Sequence, residues 1–101
     1  MKIDGLGSAL AGLRSAVETR NVASHNIANL QTEDFRPLRA RQVEARNGDP
    51  SVIVDQADAP EEVDLARELV SGLVSDVQAR ASLRVIDDTL DGVGRLVDEL
   101  A

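Results

Sequence analysis

Asn26-Ile27-Ala28-Asn29, followed by Thr32 and Phe35-Arg36-Pro37, closes a stretch whose apolar residues recur at helical spacing. Polar residues break the apolar stripe there, where a helix should stop. Upstream, Ile3, Leu6, Leu10, Leu13 and Val17 follow one another at spacings of three and four. That is a heptad seam. Ile27 returns to it after Arg20 and Ser24 take the two intervening seam positions. The pattern predicts a helix over residues 3–30, roughly 42 Å long at 1.5 Å per residue. Gly5, Gly7 and Gly12 lie inside it, and each costs roughly 1 kcal/mol against Ala. Such a helix needs something to cover its seam.

Downstream the character changes. Pro37, Pro50 and Pro60 all fall in residues 33–61, and Asn47-Gly48-Asp49-Pro50 is a strong turn signal. The β-branched centre of Ser51-Val52-Ile53-Val54 and the irregular alternation from Leu38 to Ala45 predict a small β-hairpin or an extended arm.

Ala59-Pro60-Glu61-Glu62 then opens a second periodic segment, with proline and two acids expected in its first turn. Ala66, Val70, Leu73 and Val77 form one seam; Leu83, Ile86, Leu90, Val93, Val97 and Leu100 form another. The six-residue step from Val77 to Leu83 shifts the phase near Arg80. Either the helix changes partner there or its coil is rewound. Continuous over residues 62–100, it would be roughly 58 Å long. The expected fold is mainly α: two long terminal helices (1–32 and 62–101) pair antiparallel as a coiled-coil hairpin, with the short 33–61 segment between them.

Composition agrees with a thin core. The 101 residues include one Phe and no Trp, Tyr or Cys. Large aromatic anchors are therefore almost missing, and disulfides and thiolate metal sites are excluded. Leu, Val, Ile and Ala suit helix seams, and burying enough surface calls for partner subunits. The net charge of −7 is unevenly placed. Residues 1–50 carry seven Lys/Arg and six Asp/Glu, whereas residues 51–101 carry four and twelve. One reading is a solvated acidic helix face. The other sets Arg36, Arg39, Arg41 and Arg46 against acids of the C-terminal helix, in the same subunit or a neighbour. An acidic chain with one aromatic residue is a poor nucleic-acid binder. Charges interrupt both helices too often for membrane insertion. Lys2 is followed two residues later by Asp4, so a cleavable secretory signal is not expected.

No catalytic constellation or cofactor site emerges. His25 is the only histidine, and Ser24, His25 and Asn26 point to different sides of a helix. Asp87-Asp88 and Glu61-Glu62 read as solvated surface, and Gly5-Leu6-Gly7 lacks the strand and lysine of a phosphate loop. Asn26 and Asn29 read as helix-end caps, or as amides bonding neighbouring subunits as well. Phe35 reads as an anchor against the helix pair. Ser71, Gly72 and Ser75 make a small-residue patch that either permits close helix approach or merely weakens the helix.

Gly12-Leu13, Ala23, Asn26-Ile27-Ala28-Asn29, Thr32 and Phe35 resemble the N-terminal signature of the flagellar rod, hook and hook-associated proteins. Val63-Asp64-Leu65-Ala66, Glu68-Leu69-Val70 and Arg84-Val85-Ile86 resemble the matching C-terminal signature. The likeness spans about residues 5–37 and 61–97. Two departures stand out: Asp76-Val77-Gln78-Ala79 replaces a Gln-Arg-Ala-Tyr-like segment, and Ser82 replaces an Asn. The resemblance implies a structural subunit of the basal-body rod, proximal-rod-like in length. It would be exported without a cleavable signal peptide by the flagellar export apparatus, and would polymerise with itself and other axial subunits. The interface residues expected on these grounds are Leu6, Leu10, Leu13, Val17, Asn26, Ile27, Asn29, Phe35, Leu69, Leu73, Ile86 and Leu90. A soluble coiled-coil adaptor or export chaperone is the alternative, and it would fold stably by itself.

Overall fold

The computed structural model describes residues 4–101. Ile3, the first residue of the expected N-terminal stripe, lies outside them. Helix α1 runs Asp4–Ala28, strands β1 (Leu38–Glu44) and β2 (Pro50–Gln56) form an antiparallel hairpin, and helix α2 runs Leu65–Leu100. The two helices are the expected ones, and of the two forms expected for the middle segment it takes the β-hairpin; the boundaries differ.

Helix α1 ends two residues early because the chain turns on itself at the asparagines. The Asn29 and Leu30 N–H groups reach back only three residues, to the carbonyls of Asn26 and Ile27. Asn29 Nδ2 donates to the His25 carbonyl, 2.8 Å away, so this side chain does cap the helix end. Asp34 then takes a left-handed backbone angle (φ 55°), which aspartate tolerates better than most residues.

Helix α2 starts at Leu65, three residues later than expected. Asp64 is its cap: the backbone is extended there and the carboxylate accepts from the Arg67 N–H. Pro60, Glu61 and Glu62 therefore precede the helix and do not form its first turn. They lie along the loop before β1, where the Glu61 N–H donates to the Phe35 carbonyl. Beyond Asp64 the helix is unbroken for 36 residues, about 54 Å, so the phase shift near Arg80 does not interrupt it.

Hairpin register pairs Leu38 with Gln56, Arg41 with Ile53 and Glu44 with Pro50. Pro50 opens β2, a position that tolerates a residue with no N–H for the ladder. Gly48 supplies the positive φ of 86° at the turn, and the Asn47 amide oxygen accepts from the Asp49 N–H.

Three contacts fix how the helices lie. Asn26 bonds Glu68, Arg20 pairs with Asp76, and Gly12 abuts Ser82. Residue numbers rise along α1 as they fall along α2, so the pair is antiparallel. Extrapolating that register sets Asp4 opposite about residue 91, and the last turns of α2 project beyond α1.

The seam itself is not the expected one. Ala9, Gly12, Ala16, Ala23 and Asn26 are buried on α1, with Thr19 half-buried between them. Their spacing is three and four throughout. Opposite them stand Glu68, Ser71, Ser75, Ala79, Ser82 and Ile86, half-buried or buried at the same spacing. Small and polar residues thus form the contact, and the helices approach closely. Ser71 and Ser75 of the small-residue patch sit in this close approach, whereas a methyl group on Gly72 would meet nothing within 4 Å. Of the expected α2 seam residues, Ile86 and Val93 face inward, while Leu73, Val77 and Leu83 do not.

Candidate assembly surface

Successive residues of a helix are about 100° apart, so each seam position fixes where its neighbours point. On α1, Ser8, Ser15 and Val22 lie on one flank of the seam. The hairpin lies along that flank: Ser8, still exposed, donates from Oγ to Asp49 Oδ1 at 2.7 Å, and Val22 shares a cleft with Pro37, Leu38 and Ala40. Gln78 lies on the corresponding flank of α2 and accepts from Gln42 Nε2 of β1. Leu6, Leu10, Leu13, Val17 and Ile27 fall on the other flank of α1. The handedness of two antiparallel helices puts Leu83 and Leu90 on that same side, with Leu69, Leu73 and Val77 further round the back. The ion pair Arg20–Asp76, 3.3 Å, bridges the helices there.

Exposed apolar residues of both helices therefore lie on the side turned away from the hairpin, around the Arg20–Asp76 pair, while Val70, Val74 and Val85 are exposed on the other flank of α2. Leu10, Val17, Leu69, Leu83 and Leu90 are exposed there, Val77 is exposed at the back of α2, and Leu73 retains 65% of its accessible surface. Leu6, Leu13 and Ile27 are half-buried. Among the described residues the buried apolar side chains are small: Ala9, Ala16, Val22, Ala23, Pro37 and Ala57. A buried CH₂ contributes about 0.8 kcal/mol, so a core of alanines supplies little. The leucines that could supply more face outward.

Asn26, Phe35 and Ile86 have other places. Asn26 is fully buried, and its amide acts inside the chain. Nδ2 donates to the Leu38 carbonyl at 2.8 Å and to Glu68 Oε1 at 3.2 Å, while Oδ1 accepts from the Leu38 N–H at 2.9 Å. The side chain thereby pairs with β1 as another strand would and ties α1, β1 and α2 together. It neither caps α1 nor offers its amide to a neighbour. Phe35 is half-buried and leans on the His25 ring, centroids 5.6 Å apart. Ile86 belongs to the intramolecular seam.

The arginines of the hairpin arm are also redistributed. Arg39 pairs with Glu61, ahead of α2, and Arg36 donates to Gln56. Neither reaches an acid of α2. The carboxylates of Asp87, Asp88 and Asp91 lie within 4.8 Å of one another on the exposed surface, an arrangement common in acidic helices. Among the described residues no helix is long and apolar enough to cross a membrane.

What the sequence reasoning missed was the alanine–glycine row Ala9, Gly12, Ala16, Thr19, Ala23, Asn26. It keeps the same period as the leucine row, one position out of step. Three-and-four spacing of small residues was a visible signal for it; weighting by side-chain size drew attention to the leucines instead. Compared with known proteins, the chain matches no family model and no curated protein.

Proposed function

We propose that the protein is a structural subunit of the bacterial flagellar basal-body rod that polymerises through its paired terminal helices. One observation carries this reading. The chain folds around alanines and leaves leucines and valines of both helices exposed. Much exposed apolar surface marks interaction sites, and a small chain with so slight a core gains stability by association. The motif resemblance at both ends supplies the identity of the assembly. The intended neighbours are copies of this chain and other axial subunits, delivered by the flagellar export apparatus to the periplasmic rod.

The test is Leu10→Asp, which sets a charge among these exposed apolar residues. Burying it unpaired against a neighbour costs several kcal/mol, whereas the free chain keeps it in water. The variant should be made and exported, be absent from purified basal bodies, and leave cells non-motile. Normal swimming with the variant present in rods would refute the reading.

A further inference from the structure

The two charged regions of this chain match each other and do not meet within one copy. Residues 36–46 hold Arg36, Arg39, Arg41 and Arg46 against Glu44 alone, while residues 85–101 hold five acids against Arg95. The ion pairs among the described residues are Arg20–Asp76 and Arg39–Glu61, and neither joins these regions. Both regions also carry exposed apolar groups. Arg41 and Ile53 are opposite each other in the hairpin register, so they share its outer face, and Ile53 is exposed. On α2, Leu83 and Leu90 are exposed, with Asp87 and Asp91 beside them one step round the helix.

We propose that the outer face of the hairpin of one copy docks on this acidic end of α2 in a second copy. Arg41 meets Asp87 and Asp91, and Ile53 lies against Leu83 and Leu90. This deepens the assembly reading and rests on it. The two surfaces lie on opposite sides of the helix pair, so a copy that uses its hairpin still presents its own α2. The contact is therefore heterologous: it adds subunits head to tail and does not close into a two-fold dimer. Leucine and isoleucine provide the desolvated centre, and the charges at the rim set register and rate.

Charge reversal tests it with the full chain. Arg41→Glu, and separately Asp87→Arg with Asp91→Arg, should each weaken self-association in sedimentation velocity at low salt by about tenfold. Circular dichroism should show the helix content unchanged, since these positions are exposed. Mixed in equal amounts, the two variants should associate again. The reversed hairpin of one fits the reversed α2 of the other, and each retains a native surface for the reciprocal contact. An unmodified chain that stays monomeric at every concentration would overturn the proposal. So would either variant associating as the unmodified chain does, or a mixture no better than its parts. If the charge variants enter basal bodies normally while Leu10→Asp does not, this docking is wrong and the assembly reading stands.

Discussion

Gly12 on α1 and Ser82 on α2 touch so closely that a methyl group on the glycine would lie 2.8 Å from the serine hydroxyl. That contact explains a residue that looked like a liability in a helix interior. Gly12 lowers the propensity of α1 by about 1 kcal/mol against Ala, and in return it lets the two backbones approach. Gly5 and Gly7 meet nothing within 4 Å, so close packing does not account for them.

The obstacle at Gly12 is a hydroxyl that can rotate away, which makes the effect of substitution predictable. Gly12→Ala alone should be nearly neutral, the gain in helix propensity offsetting the crowding. Combined with Ser82→Ala it should stabilise the chain by about 1 kcal/mol. Gly12→Leu should destabilise by about 1–3 kcal/mol through overpacking. Urea denaturation followed by circular dichroism measures all three. A stabilised Gly12→Leu would mean that the helices do not approach here.

Asn26 should be far less replaceable than an ordinary helix residue. Its amide satisfies both the N–H and the carbonyl of Leu38 and also donates to Glu68. Asn26→Leu leaves those groups buried without partners, at about 1–3 kcal/mol each. Asn26→Asp removes the donor and brings a second carboxylate to Glu68. Adding Glu68→Gln should recover part of the loss in Asn26→Asp and none of it in Asn26→Leu. Equal recovery in both would show that the pair is not coupled as described, and a double-mutant cycle is the measurement.

The two ends of α2 should differ in local stability. From Gly94 to Leu100 every residue is exposed, whereas Glu68 to Thr89 contribute the seam against α1. In the unassembled chain, hydrogen exchange should be fast over residues 94–100 and slow around Ser75 and Ala79. On α1, protection should be greatest from Ser15 to Ala23, where the hairpin covers one flank and α2 the seam. Equal protection along α2 would show that something else covers its end.

The sequence alone determined the inventory of elements, because period and punctuation are local properties. Three-and-four spacing, the asparagine-rich stop after Ile27, and Asn47-Gly48-Asp49-Pro50 act within a few residues of themselves. Boundaries slipped where a cap competed with a proline: Asp64 starts α2, and Pro60 does not. Asn29 kept its capping role for the same local reason. Which of two parallel heptad rows becomes the intramolecular seam is decided only by the tertiary structure. Ala9, Gly12, Ala16 and Ala23 fit against Ser75, Ala79 and Ser82 because small side chains let the backbones close in, and the hairpin can reach Val22 on the adjoining flank. Leu10, Leu73 and Leu83 would hold the helices further apart. They end on the outer face, and no residue-by-residue hydrophobicity separates a leucine that fills a core from one that waits for a neighbour. Asn26 follows the same rule: its type signals a helix end, but its burial depends on Leu38 and Glu68, which only the folded chain brings beside it.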